Sequence, residues 1–510
     1  LDTNPMAEAE AARARRGPQI DKARAGRMAE DVREEMKPNY LADGPDKPAL
    51  PDQPMAMPME LGPEVFILQS IALRDRPDQR ETLRAFAHPA GVFCGRLDAL
   101  CLVARHELMT GLLLSLATLL TARTSLEFFF SWELMTLSSY LLVTLGRDAV
   151  KPALLYLLFS LGSAFLILAG FAVAFAATGS IALSALGSAG DAVPWIFSLL
   201  ALGFVIKAGG FGFHIWLPGS YTEADDDTTA ILSAVMSKAS IFGLLMVAAQ
   251  LGVRADIGLD PAYVLGWIGI LTATFGALMA VFQEDLKRLL AYSSMGQLGY
   301  IVAAVALMSH LGWVTALYLS VNHFLFKGVL FLAAAGVIYR SNTRLMYQMG
   351  GLIKNMPVTF VAVMIAIIAM SGVPPLTGFG GKWLLFNAMM DKGWYWLAVL
   401  AFFSSAVAFL YMFRLLQTVF LGQRKLEHKD LREAPAILLV PQVIMLGVIM
   451  LLSVWPKLLL DPLSAAVAPY VGGTLVWEGW ALQTHLGYWN PTLIMIIVGT
   501  VWAIPLVFLL

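Results

Sequence analysis

PVTFVAVMIAIIAMSGVPPLTGFGGKWLLFNAMMD, residues 357–391, is an apolar run too long for one crossing of a bilayer, and it is interrupted by two prolines and several glycines. About 20 residues of helix, rising about 1.5 Å each, cross a hydrocarbon core of about 30 Å. Pro374 and Pro375 remove backbone donors from the middle of the run, so the segment predicts a broken helix. Inside a membrane a break survives only where the freed backbone is buried in protein or lines a wet cavity. One stretch therefore predicts a bundle of helices packed around it. Lys382 stands directly behind the break.

Working outward, apolar runs recur near 108–123, 125–145, 153–177, 194–217, 228–250, 262–282, 287–308, 311–338, 357–391, 393–420, 435–455 and 493–510. They predict an all-α, polytopic membrane protein of about twelve transmembrane helices. The composition agrees: 58% of the 510 residues are hydrophobic, 14% are charged, and mean hydropathy is +0.70. An ordinary soluble enzyme is excluded. Residues 1–100 hold 17 acidic and 14 basic side chains and 11 of the 25 prolines, so the charge is concentrated in a polar leader. Such a leader cannot bury enough apolar surface to fold alone and is expected to be disordered or loosely helical. It lacks a secretory apolar core, and the patch at 65–73 is too short to span. The expected division is a leader at 1–100, a transmembrane body at 101–460, and a C-terminal loop with a final helix at 461–510.

Net charge −1 gives no basic bias toward nucleic acid. Cys94 and Cys101 are the only cysteines, too few for a disulfide scaffold or an iron–sulfur cluster within the chain. GxxxxGK[ST], GxGxxG before a helix, CxxC and HExxH are all missing, so no cofactor and no metal is expected.

Lys and Arg gather on cytoplasmic loops. One set of alternate loops carries eleven: Arg147, Lys151, Lys287, Arg288, Arg340, Arg344, Lys354, Arg424, Lys425, Lys429 and Arg432. The other carries four: Arg123, Arg254, Lys392 and Lys457. This asymmetry places the first set, and the leader with it, in the cytoplasm.

Ionisable residues inside apolar spans cost several kcal/mol unless they face protein or water, which marks them as functional candidates. They are Glu133, Lys207, Lys238, His323, Lys327 and Lys382. A lysine in a partly dry site can exchange a proton near neutrality, and a chain of such groups is what a proton path requires. Glu133 is the carboxylate available as a counter-charge, so a Glu–Lys switch is expected there. His323 and Lys327 stand at i and i+4, on one helix face, a spacing suited to a relay. His214, Glu223 and Asp285 are accessory candidates. The acidic run Glu223, Asp225, Asp226 and Asp227 reads first as a solvated surface or partner contact, with cation entry as the sharper alternative.

HIWLPGSYTEADDDTTAILSAVMSK (214–238) resembles the HxWLPxAHxEAP…LxxxxxK signature of proton-translocating, antiporter-like membrane subunits. That family comprises the L, M and N subunits of complex I, the A and D subunits of Mrp cation/proton antiporters, and membrane subunits of energy-conserving hydrogenases. EDLKRLLAYSSMGQLGYI (284–301), NHFLFKGVLF (322–331) and GVPPLTGFGGKW (372–383) resemble further family motifs. WELMTLSSYLLV (132–143) is closest in style to the hydrogenase-4 B and Mrp D proteins. The resemblance covers roughly residues 95–455. It implies two inverted five-helix repeats, each with one broken helix, in a family of fourteen helices whose first two have no recognisable counterpart here. Glu133 resembles the glutamate of the family's fifth helix and Lys207 its seventh-helix partner. Lys238 resembles the connecting lysine of the eighth, His323 and Lys327 the relay of the eleventh, and Lys382 the terminal lysine of the broken twelfth.

The resemblance implies a proton-moving subunit, with or without Na⁺ counter-transport, among other membrane subunits of a respiratory, hydrogenase or Mrp-type complex. A non-transporting anchoring subunit and a quinone-linked redox subunit are the alternatives. A cysteine at Arg424, in a background with Cys94 and Cys101 replaced by serine, should react with an impermeant thiol reagent from the cytoplasmic side. Labelling from outside alone in intact cells would invert the topology.

Overall fold

The computed structural model of the chain describes residues 10–27, 64, 67–68, 70–71, 102–146, 148–252 and 260–509. Cys94, Cys101, Arg147, Arg254 and most of the polar leader lie outside the described residues. The chain divides into two units, Leu1–Glu107 and Leu108–Leu510. In the first, α1 (Glu10–Arg24) is a polar helix with an exposed Asp21–Arg24 pair at 3.9 Å, one turn apart.

Helices follow in order: α2 (Leu102–Thr121), α3 (Ser125–Thr144), α4 (Val150–Thr178), α5 (Val193–Lys207) and α6 (Trp216–Glu223). Then come α7 (Asp226–Leu251), α8 (Pro261–Val281), α9 (Leu286–Ala306) and α10 (His310–Ser341). The last group is α11 (Pro357–Ser371), α12 (Thr377–Asp391), α13 (Tyr395–Leu421), α14 (Ala436–Val454), α15 (Lys457–Val471) and α16 (Pro491–Leu509). Among the described residues, eight helices are long and apolar enough to cross a membrane. These are α4, α5 with its preceding turn, α7, α8, α9, α10, α13 and α14. The other expected spans are less uniform: α3 carries Glu127 and Glu133, and α11 is shortened by the break.

The run at 357–391 is broken as expected, into α11 and α12. The expected single span at 194–217 is not continuous. α5 ends at Lys207, and AGGFGFHI (208–215) connects it to α6, with Gly209 at φ +73° reversing the chain where a side chain would be strained. α7 contains a π-turn at Leu232–Met236, just before Lys238.

The helix at the centre of the bundle is α9, in which every residue but Arg288 is buried. α8 can approach it because small residues line the seam: a methyl added at Gly276 would lie 2.7 Å from the Gly296 nitrogen, and one at Gly269 would lie 2.7 Å from the Ala303 nitrogen. Dispersion between closely packed backbones drives helix association in lipid, where burial of apolar surface offers little. Outward, Phe165, Leu410 and Ile437 are exposed apolar side chains, as lipid-facing surface requires.

Loops gather at two ends. At one, Leu286 N donates to Arg344 O at 2.9 Å, Lys425 Nζ to Tyr347 O at 2.6 Å and Asn355 Nδ2 to Leu431 O at 2.8 Å. The basic loops 284–288, 340–355 and 422–433 therefore share one end. The other end holds an expectation that fails: 461–510 is not a loop with one helix. α15 buries Leu460, Ser464 and Val467 on one face, and three antiparallel strands follow, β1 (Val476–Glu478), β2 (Ala481–Thr484) and β3 (Gly487–Trp489). Trp489 packs on Gly380, and Thr484 Oγ1 donates to Asn387 Oδ1 at 2.8 Å, so this small sheet sits on α12.

Gly276→Leu should separate α8 from α9 and sharply reduce the folded protein recovered in mild detergent. Gly162→Ala, where an added methyl meets nothing within 4 Å, should leave recovery unchanged or raise thermal stability by ~0.5–1 kcal/mol. Equal recovery of both variants would contradict the close-packed seam.

Candidate functional site

At the first break, the backbone freed by AGGFGF is reused. Ile206 O accepts from the Trp216 indole at 3.0 Å, and Val205 O from Gly210 N at 2.9 Å. Lys207, the last residue of α5, is 2% exposed and points back among its neighbours. Its Nζ donates to Thr136 Oγ1 of α3 at 3.0 Å, and to Tyr156 OH and Ser160 Oγ of α4 at 2.7 and 2.9 Å. The ammonium also lies 4.3 Å from the Tyr156 ring centroid.

The expected Glu133–Lys207 ion pair is not formed: among the described residues, no charged contact within 4 Å joins them. The reason is that an ammonium has three N–H donors and all three are taken by hydroxyls. Glu133 is half-buried, its Oε1 is enclosed without a hydrogen-bond partner in the chain, and Lys207 acts on it only through space.

Lys238, two residues beyond the π-turn and half-buried, donates to Ser233 O at 2.9 Å and Ser237 Oγ at 3.2 Å. A π-turn frees carbonyls from the α-helical ladder, and Ser233 O is used in this way. Lys238 Nζ also lies 2.5 Å from Nδ1 of His323 on α10. His323 thus bonds Lys238 rather than its i+4 neighbour. Lys327 instead reaches α9, donating to Leu290 O at 3.0 Å and to Ser293 Oγ. The same helix is linked to the π-turn by a Ser233–Ser294 hydroxyl contact of 2.8 Å.

At the second break, Lys382 Nζ donates to Ser371 O, the last carbonyl of α11, at 2.8 Å and to Ser405 Oγ of α13 at 2.7 Å. Its ammonium lies 5.5 Å from the Tyr300 ring, whose hydroxyl meets Ser404 Oγ at 2.7 Å. Gly372, at φ +74°, leaves room beside the lysine stem, which any Cβ there would meet. Lys382 is 4% exposed and held inside the bundle by these groups.

The accessory candidates divide. His214 stacks against Phe211 and lies 4.6 Å from the Phe275 ring, among aromatic side chains instead of the lysines. The acidic run is not simply solvated. Arg344 holds Glu223 with two guanidinium nitrogens at 3.0 and 3.3 Å and Asp285 at 3.3 Å, while Lys287 holds Asp226 at 2.8 Å. These residues line a cavity of about 740 Å³ at the basic end. Burial pushes the Asp285 carboxyl above its ordinary range, against the Arg288 N–H and the Arg344 charge.

Sequence reasoning missed the hydroxyls. Thr136, Tyr156, Ser160, Ser293, Ser405 and Tyr300 solvate or flank the amines, and the available signal was hydroxyl-bearing residues at helical spacing inside aliphatic spans, as in YLLFS (156–160). No metal-binding group of His, Cys, Asp and Glu occurs among the described residues.

Known proteins share this arrangement of helices. The profile described as NADH:quinone oxidoreductase/Mrp antiporter, TM matches residues 122–408, a stretch that contains all six candidate relay residues. The chain is similar to NADH-quinone oxidoreductase subunit N of Desulforudis audaxviator (strain MP104C), 34% identical over 297 residues, covering 57% of this chain and 59% of that protein. It is also similar to Hydrogenase-4 component B of Escherichia coli (strain K12), 33% identical over 293 residues, covering 54% of this chain and 44% of that one. The chain therefore spans about half the length of these curated relatives. Its fold matches a chain in the structure of the membrane-bound sulfane sulfur reductase, an archaeal respiratory membrane complex, with a TM-score of 0.74 and 29% identity over 81% of this chain and 70% of that one. With a profile matching more than half its length and a fold shared with such a complex, this integral, multi-pass membrane protein belongs to the NADH:quinone oxidoreductase/Mrp antiporter transmembrane family.

Proposed function

We infer that the chain is a proton-translocating membrane subunit of a larger respiratory, hydrogenase or Mrp-type complex. The observation that carries this reading is the row of amines, Lys207, Lys238, Lys327 and Lys382, each solvated by hydroxyls or carbonyls instead of a carboxylate. A static structural ion pair would be expected to hold its partner carboxylate, since one buried charge without the other is costly. Neutral acceptors hold an ammonium loosely enough to let it exchange.

In this reading Glu133 and Lys207 gate entry, Lys238 and His323 pass a proton laterally as one bonded pair, and Lys327 and Lys382 carry it to release. His214, Glu223 and Asp285 stay accessory. The named relatives are a subunit of NADH-quinone oxidoreductase and a component of hydrogenase-4, so membrane partners of that kind are assigned here too. The excess of Lys and Arg on one end supports a cytoplasmic position for that end and for the leader at 1–100. The body at 101–460 carries the path, and 461–510 closes the opposite end.

Lys207→Ala should abolish proton transport while the inserted amount stays nearly constant, measured as acidification of inverted vesicles against immunoblotted protein. Wild-type transport in that variant would remove Lys207 from the path. Lys382→Arg keeps a permanent charge that cannot readily release a proton, so transport should fall steeply with assembly retained. Normal transport in Lys382→Arg would refute the relay role.

A further inference from the structure

The first break holds Lys207 away from Glu133, and the hydrogen-bond directions there single out Tyr156. Ser139 Oγ donates to Met135 O at 2.6 Å, so its proton is committed to the backbone of its own helix. At the 2.5 Å contact between Ser139 Oγ and Tyr156 OH, the phenol must then be the donor. With its proton turned toward Ser139, Tyr156 can only accept from Lys207, which it does at 2.7 Å. A one-way chain results, from Lys207 through Tyr156 and Ser139 to the Met135 carbonyl.

Two more observations place Tyr156 as a hub. Its ring is fully buried, edge-on to Trp216 at 5.0 Å between centroids, and Trp216 in turn caps Ile206 O beside Lys207. Its hydroxyl also lies 3.5 Å from Met236 Sδ, in the π-turn that leads to Lys238. The phenol therefore touches the elements that carry Glu133, Lys207 and Lys238.

We propose that Tyr156 is the positioning residue that holds the Lys207 ammonium in a three-hydroxyl cradle, out of contact with Glu133, so that lysine and glutamate pair only when the Tyr156 bond is released. The inference rests on the proton-translocation reading. Lys207 has no free N–H for a carboxylate while Thr136, Tyr156 and Ser160 are all engaged. Glu133 Oε1 is the waiting acceptor, buried and without a partner. Thr136 sits three residues after Glu133 on the same helix, so a short swing of the lysine exchanges one acceptor for the other.

The test compares wild type and Tyr156→Phe in the intact membrane complex with two readouts. Dicyclohexylcarbodiimide, an apolar reagent, condenses a carboxylate with an amine in contact with it, and a Glu133–Lys207 amide is detected by mass spectrometry of the cross-linked peptides. Tyr156→Phe keeps the ring and its packing but removes the acceptor. It should raise cross-link yield several-fold and lower proton transport roughly tenfold or more, the scale of losing a hydrogen bond to a charged group. A yield equal to wild type overturns the inference, because a merely structural tyrosine would not control this contact. Should Tyr156→Phe fail to assemble, Tyr156→Met, which also lacks the acceptor and fills the site with a flexible apolar chain, should raise the yield in the same direction, and an unchanged yield there overturns the inference equally. A wild-type complex that moves no protons overturns the proton reading itself. Wild-type transport with an unaffected cross-link in Tyr156→Phe overturns the cradle alone.

Discussion

An ammonium within a hydrocarbon layer must bring its solvation with it, and the architecture is arranged around that constraint. Removing water from a charge costs several kcal/mol even with local relaxation, and an unbonded backbone carbonyl in the same place is also expensive. Putting the two together satisfies both. Ser371 O, freed at the end of α11, accepts from Lys382; Ser233 O, freed in the π-turn, accepts from Lys238. Breaks that would be defects elsewhere become ligands for the amines. They are tolerated where the freed carbonyls find donors within the bundle, as Ile206 O does on the Trp216 indole and Ser371 O on Lys382.

Hydroxyls provide the rest of the solvation. Serine, threonine and tyrosine are small or rigid enough to sit in tightly packed spans, and each offers lone pairs without adding a second charge. Lys207 shows the consequence most clearly, because three hydroxyls from two helices satisfy every donor it has. A carboxylate in their place would bind more strongly and less reversibly. The contrast with the basic end is instructive. There Arg344 and Lys287 are held by Glu223, Asp285 and Asp226 in charge-assisted contacts, which tie the end of the first broken helix to the loop before α9. Fixed ion pairs occur where the loops must be anchored, and neutral acceptors occur where charge sits deep in the bundle.

Much of this was legible in the amino-acid order. The apolar run at 357–391, its two prolines and its glycines predicted a broken helix, because chain length against bilayer thickness and loss of amide donors are local properties. The same locality made Glu133, Lys207, Lys238, His323, Lys327 and Lys382 visible, since a charge inside an apolar window needs no partner to be recognised. The first break was missed because AGGFGFHI is itself apolar and has no proline, so hydropathy ran through it without interruption. The small sheet at 476–489 was missed because its strands are three or four residues long, too short for alternation to register.

Sequence by itself determined which residues carry charge into the membrane and where the chain breaks before Lys382, because hydration cost and the loss of proline amide donors act within a few neighbouring positions. Tertiary structure alone decided partnership. Lys207 bonds hydroxyls 71, 51 and 47 positions away instead of the expected glutamate, and His323 bonds Lys238, 85 positions away, instead of the lysine one turn along its own helix. Which acceptor reaches which amine depends on how helices rotate and approach one another. That is set by small-residue seams such as the one between α8 and α9, where close contact of whole surfaces decides the geometry and no single position records it.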